Sequence, residues 1–154
     1  MTLNLSNIHF VLLAAGKSTR FKSKENKLLS KLKDKTILEY NIEQLRKIGF
    51  KKITLVIRNN NILKNINTTR IELIKGGKTR TLSVKNVLFK SKIKAKYVFI
   101  HDAARILNSE KLLKKLINET FKNKYDCIIP FSKCADTVIK NHINIKREDL
   151  KLIK

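Results

Sequence analysis

The chain has 154 residues, 42% of them hydrophobic, and carries 35 Lys and Arg against 12 Asp and Glu for a formal net charge of +23. That length supports one domain with a single core, no apolar run approaches the ~20 residues needed to span a bilayer, and Cys127 and Cys134 lack the spacing of a disulfide framework or zinc site. The charge attracts any polyanion, but lysines lie on nearly every face and no basic cluster is interleaved with aromatics, so nucleic acid is not expected as a partner and a soluble, cytoplasmic protein is.

The run Ile8 to Leu13, ending in Ala-Ala-Gly, is the pattern of a strand buried on both faces of a parallel sheet. No Lys or Arg precedes it, so it is not read as a signal-peptide core. Thr36, three residues before Glu39, opens a helix whose apolar residues recur at Leu38, Ile42, Leu45 and Ile48 before Gly49 ends it. Ile53 to Ile57 and Ile71 to Ile74 read as strands, the second leading into Gly76 and Gly77. Leu82, Val84, Val87 and Leu88 predict a helix entered from that loop. Tyr97 to Ile100 is a further buried strand, ended by His101 and Asp102. Ser109 opens a helix with the stripe Leu112, Leu113, Leu116, Ile117 and Phe121, and Cys127 to Ile129 begins another strand. Strands alternating with helices predict an α/β fold, a Rossmann-like, doubly wound, mostly parallel sheet. Ligands of such sheets bind beyond the carboxyl ends of the strands, so Gly16, Gly76, Gly77 and Asp102 should meet in one crevice.

Three segments there have chemical potential. Ala14-Ala15-Gly16-Lys17-Ser18-Thr19-Arg20 sets small residues where a backbone must approach a ligand, followed by cations suited to phosphate, with Lys27 seven residues on. It is neither a P-loop nor a dinucleotide fingerprint, and the same residues also suit a plain turn with solvated lysines. Gly76-Gly77-Lys78-Thr79-Arg80, with Ser83, presents backbone groups to a base edge or is simply a turn. His101-Asp102-Ala103-Ala104-Arg105 places a carboxylate where it can hold a divalent ion, beside alanines that leave room for a nucleotide, or else it is a charged pair capping the next helix.

In this order and spacing the segments resemble the 2-C-methyl-D-erythritol 4-phosphate cytidylyltransferase family of the non-mevalonate isoprenoid pathway. The family's A-A-G-x-G-x-R corresponds to residues 14–20 and its P-K-Q to Asn26-Lys27-Leu28. G-G-x-x-R-x-x-S-V corresponds to residues 76–84, H-D-A-A-R-P to residues 101–106, and D-T to Asp136-Thr137. The resemblance implies a nucleotide-diphospho-sugar transferase type of fold. It also implies transfer of CMP from CTP to the sugar-alcohol phosphate, with Mg²⁺ assisting and pyrophosphate leaving, in the precursor stage of isoprenoid biosynthesis. Arg20 and Lys27 would be catalytic and would stabilise the phosphoryl charge. Ala14, Ala15, Gly16, Gly77, Ser83, Asp102 and Arg105 would form the CTP site, with Asp102 also the metal ligand. Thr137 and Arg147 would bind the acceptor phosphate from an arm, residues 134–150, that reaches into a partner subunit of a homodimer.

The departures from the family pattern are Ser18 for the second glycine, Asn26 for proline, Leu28 for glutamine and Ile106 for proline. Each touches loop geometry and none removes a charge. The chain ends at Lys154, where the family continues with a segment that completes the sheet, so a fragment or a shortened homologue is expected. Ribitol 5-phosphate is the alternative acceptor. A non-catalytic CTP-binding relic is the alternative to an enzyme, against which stand the retained Arg20, Lys27 and Asp102.

Overall fold

A computed structural model describes residues 5–18, 26–64, 66–91, 93–106 and 110–130, together with the backbone of 138–140 and 143–145. In chain order the strands are β1 (Ile8–Leu13), β2 (Lys31–Leu32), β3 (Lys35–Thr36), β4 (Ile53–Ile57), β5 (Ile71–Lys75), β6 (Tyr97–Asp102), β7 (Val138–Lys140) and β8 (Ile143–Ile145). The α-helices are α1 (Ile37–Ile48), α2 (Arg80–Lys90) and α3 (Glu110–Phe121).

Four strands pair in the order β5-β4-β1-β6, all parallel. The two central ones, β1 and β4, are the continuous apolar runs, and helices cover both of their faces, which is why they carry no polar alternation. Phe10, Leu12, Ile53, Leu55 and Ile57 pack on one side with Leu38, Ile42 and Leu45 of α1 and Ile117 of α3. Val11, Val56 and Ile74 pack on the other side with Val87 of α2. A sheet with helices on both faces is the doubly wound architecture expected from the sequence. Two short antiparallel pairs, β2 with β3 and β7 with β8, stand apart from it.

The termini of α1 form as their residues dictate. Thr36 Oγ1 accepts from the Glu39 N–H at 3.2 Å while the Glu39 carboxylate accepts from the Thr36 N–H at 2.6 Å, a reciprocal cap. Gly49, at φ 110°, closes the other end in the left-handed conformation.

Three expectations need correction. His101 and Asp102 are the last two residues of β6 rather than its terminators, because β1 continues to pair with them through Leu12 and Leu13. Nor is β6 a buried strand: it is the last strand in the order of the four-stranded sheet and is only partly covered, with Ile100 36% exposed. The helix expected after Gly77 forms as α2, and its buried positions are Ser83 and Val87, with Leu82 and Leu88 42% and 53% exposed. The helix turns its small residues to the sheet so that its N-terminal loop can approach β1. Residues 127–130 form no strand: they line a groove together with β6 and pair with no strand among the described residues, and Ile129 is 72% exposed. An apolar β-branched run without a ladder partner has no backbone hydrogen bonds to hold it extended. Ser109, proposed to open α3, lies outside the described residues, as does the greater part of the segment 134–150.

Candidate active site

The carboxyl ends of β1, β4, β5 and β6 open onto one cleft of about 510 Å³, a size suited to a small-molecule ligand. The Ala14 N–H donates to the Val56 carbonyl at 2.8 Å, the Gly76 N–H to the Ile57 carbonyl at 2.8 Å, and the Ala103 N–H to the Leu13 carbonyl at 2.9 Å. Three loops are thereby tied, each one residue past its strand, to the sheet itself. Of the residues expected there, Ala14, Ala15, Gly16, Lys27, Gly77, Ser83, Asp102 and Arg105 line this cleft, whereas Gly76, packed against Ala15, does not. Arg20, Thr137 and Arg147 lie outside the described residues.

The glycines serve two different ends. At Gly16 a Cβ would meet nothing within 4 Å, so that backbone faces open space in the cleft. At Gly76 a Cβ would come within 2.3 Å of Ala15 Cβ, and at Gly77 within 2.4 Å of Leu82 Cβ. Here glycine is required because the β5 loop is pressed between the β1 loop and α2. Side chains of α2 then fix that loop. Asn86 Nδ2 donates to the Lys75 carbonyl at 3.0 Å, the Gly77 N–H to Ser83 Oγ at 3.0 Å, and Ser83 Oγ to the Thr79 carbonyl at 2.9 Å. The Ser83 hydroxyl therefore holds the loop in shape.

The turn that precedes Lys27 contains two of the departures from the family pattern, and they meet. Ser18 stands at φ 54°, in the left-handed region where glycine is at ease. Its hydroxyl donates to Asn26 Oδ1 at 3.1 Å and accepts the Lys27 N–H at 3.3 Å. Asn26 Oδ1 also accepts the Leu28 N–H at 3.0 Å, capping a short 3₁₀ turn over Lys27–Leu29. A hydrogen-bonded clip thus stands where the family pattern has a glycine and a proline.

Two contributors escaped the sequence reading. Asn41, 2% exposed within the apolar stripe of α1, donates to the Ala103 carbonyl at 2.8 Å and so pins the turn after Asp102. Its signal is a polar side chain beside Ile42 on a buried helix face. Arg58 lines the cleft immediately after β4; in sequence it is one cation among many.

The electrostatics are one-sided. Lys17, Lys27, Arg58, Lys78, Arg80 and Arg105 line the cleft, against Asp102 as the only carboxylate among the described lining residues. Asp102 Oδ1 accepts from Arg80 Nε at 3.1 Å and Oδ2 lies 3.4 Å from Arg105 Nε. His101 faces away: its Nε2 lies 3.1 Å from the Arg105 carbonyl, its ring stands edge-on to Phe10, and burial holds its pKa below the ordinary 6.5. Among the described residues no three His, Cys, Asp or Glu side chains gather into a metal cage. One carboxylate in a cleft lined by six cations nonetheless fits Mg²⁺, which is commonly held by one or two carboxylates together with substrate phosphates. Such a charge distribution attracts anions.

Residues 8–147 match the family described as IspD, 2-C-methyl-D-erythritol 4-phosphate cytidylyltransferase. The chain belongs to this family. A bifunctional IspD/IspF enzyme of Pelagibacter ubique is 42% identical over 156 residues, covering 96% of this chain and 42% of its own length. The structure of the bifunctional IspDF from Campylobacter jejuni superposes with a TM-score of 0.82 at 35% identity, covering 96% of this chain and 39% of that one. A 4-diphosphocytidyl-2C-methyl-D-erythritol synthase from Anaerococcus prevotii gives a TM-score of 0.71 at 27% identity, with 92% and 65% covered. The chain thus spans about two-fifths of the length of the bifunctional IspD/IspF relatives it matches. Apart from Leu13 and Arg58, the residues that line the cleft fall in the segments that carry the resemblance, and the doubly wound sheet is the IspD fold.

Proposed function

We propose that the chain transfers CMP from CTP to 2-C-methyl-D-erythritol 4-phosphate, releasing pyrophosphate, in isoprenoid precursor biosynthesis. The observation that carries this reading is the convergence of the Gly16, Gly77, Lys27 and Asp102 segments on one cleft lined by six cations and one carboxylate. In the reaction an oxygen of the acceptor phosphate attacks the α-phosphorus of CTP, and the bond from that phosphorus to the bridging oxygen of the β-phosphate breaks. The nucleophile is already ionised, so no general base is required. What is required is positioning and neutralisation of the charge that spreads over the phosphoryl oxygens.

On this reading the backbone at Ala14, Ala15 and Gly16 receives the phosphates. Gly77, shaped by Ser83, faces the base, and Arg105 flanks the ribose and triphosphate. Lys27 and Arg20 stabilise the pentacoordinate phosphorus. Asp102 would hold a divalent cation whose charge offsets that of the phosphate oxygens. The resemblance assigns the acceptor phosphate to Thr137 and Arg147. The β7–β8 hairpin, which lies between those two positions in sequence, is consistent with an arm that completes the site of a second subunit in a homodimer. No helix among the described residues is long and apolar enough to cross a membrane, and the reading places the enzyme in the cytoplasm.

The test is Mg²⁺-dependent pyrophosphate release from CTP with methylerythritol phosphate as acceptor, beside ribitol 5-phosphate and a Lys27→Ala control. Release that needs methylerythritol phosphate and falls about 10²- to 10³-fold in the variant, the usual cost of one lost charge-stabilising donor, supports the assignment. A folded chain that binds CTP and releases no pyrophosphate with either acceptor is a nucleotide-binding protein instead.

A further inference from the structure

Asp102 has no free carboxylate oxygen in this structure. Arg80 Nε holds Oδ1 at 3.1 Å, and Arg105 Nε lies 3.4 Å from Oδ2. The two arginines are not equivalent. Arg105 follows three residues after Asp102 on the same turn, whereas Arg80 is the first residue of α2 and reaches Asp102 from the opposite wall. The Arg80–Asp102 pair therefore spans the cleft from α2 to the end of β6. Its side chains are 63% and 31% exposed, so it is a weak and readily exchanged tie.

A divalent cation of the Mg²⁺ type binds carboxylate oxygen at about 2.0–2.1 Å. A guanidinium donating to the same oxygen would be pressed against that charge, so cation binding through Oδ1 and the Arg80 contact oppose each other. The triphosphate supplies the destination, since guanidinium pairs with phosphate oxygens in a two-pronged, charge-assisted geometry that exceeds a single bond to carboxylate. We infer that Arg80 is an exchange latch: it caps Asp102 in the nucleotide-free protein and moves to the triphosphate when nucleotide and cation enter together. Arg80 is then a positioning residue that keeps the cation off the empty site and draws the α2 loop toward the nucleotide as it moves. The inference rests on the proposed reading for the identity of the anion, and on the geometry alone for the competition at Asp102.

The competition is measured without turnover. The full nucleotide-free chain is titrated with Mn²⁺ alone, following the paramagnetic resonance signal of free Mn²⁺, for the unaltered protein, Arg80→Ala, Arg80→Gln, Lys78→Ala and Asp102→Asn. Lys78 lines the same cleft without a salt bridge to Asp102, so its removal reports the general effect of one less positive charge. Both Arg80 variants should bind Mn²⁺ about three- to tenfold more tightly, the scale of one charge at a half-exposed site. Lys78→Ala should gain less than half as much, and Arg80→Ala combined with Asp102→Asn should lose the gain. With CTP present the order reverses, and Arg80→Ala binds the CTP–Mn²⁺ complex more weakly than the unaltered chain. Equal gains from Arg80→Ala and Lys78→Ala would overturn the latch. A selective gain in a chain that releases no pyrophosphate would leave the latch standing and remove the transfer reaction instead.

Discussion

Ser18 and Asn26 show how a chain can depart from its family's pattern at two positions and retain a shaped loop. Placing Ser18 at φ 54° costs on the order of 1 kcal/mol that glycine would not incur. The hydroxyl offsets that through its bonds to Asn26 and to the Lys27 N–H, each worth about 0.5–1.5 kcal/mol net. The two residues therefore act as a unit and their substitutions should not add. Asn26→Ala alone should lower kcat more than it raises KM for CTP, because Lys27 loses its fixed approach while the glycine turn is untouched. Ser18→Gly should be milder, since it relieves the backbone as it removes the bond. In the double variant the Ser18 change should cost less than it does in the unaltered background, and steady-state kinetics over the four proteins would show it. Strictly additive effects would mean that the clip does not position Lys27. None of this was legible in sequence, where the two positions read as separate losses of loop geometry. Their partnership depends on a contact eight residues apart that no periodicity encodes. Asn41 and Arg58 were missed for related reasons, the one hidden in a helix stripe and the other among 35 cations.

A second polar cluster sits at the opposite end of the sheet from the cleft and joins three strands to α2. His9 of β1 lies 2.6 Å from Thr54 Oγ1 on β4, which donates to Glu72 Oε2 on β5 at 2.8 Å; Ser91, the C-cap of α2, donates to the same carboxylate oxygen. Because the Thr54 proton goes to Glu72, His9 Nε2 is the donor to Thr54, which selects the neutral tautomer protonated there. Burial holds the His9 pKa below 6.5; Glu72 opposes this and Lys52 adds to it. His101 is lowered by burial as well. The unfolded chain therefore binds more protons than the folded one between the folded pKa values and 6.5. This contribution to stability is complete above about pH 6.5 and is lost as pH falls through that value toward the folded pKa values. The urea midpoint should drop between about pH 7.5 and 5.5, and the drop should shrink in His9→Gln combined with His101→Gln. An undiminished drop in the double variant would assign it to other groups. At this scale the sequence reading succeeded wherever one pattern decided the element, as in β1, β4, β5 and α1. It found α2 as well, though not which positions that helix buries, Ser83 and Val87 rather than Leu82 and Leu88. It failed at residues 127–130, where a strand needs a partner that local sequence does not report.

Taken whole, the molecule presents two electrostatic problems that its net charge of +23 does not separate. A surface with lysines on nearly every face attracts any polyanion, whereas the cleft concentrates six of its cations around one carboxylate at the ends of four parallel strands. The location of the cleft was legible in sequence because a doubly wound sheet places its loops at one end. The one-sided charge was not, since it requires knowing which of many lysines and arginines face inward. The two kinds of binding differ in their salt dependence and in their response to Lys27→Ala. Duplex DNA held by general charge should bind non-specifically at about 10⁻⁴–10⁻⁶ M near physiological salt, with a log–log salt slope of about −0.9 per phosphate contacted. Lys27→Ala removes one charge from a large excess and should leave that affinity almost unchanged. CTP with Mg²⁺ carries a small net charge, so its affinity should fall far less steeply with salt, and Lys27→Ala should weaken it markedly. Fluorescence anisotropy of a labelled duplex and calorimetric titration of CTP, each across the same salt series, make the comparison. Were CTP to displace the duplex stoichiometrically, or Lys27→Ala to weaken both alike, the cleft itself would be the polyanion site, and the charge spread over the rest of the surface would not be what binds the duplex.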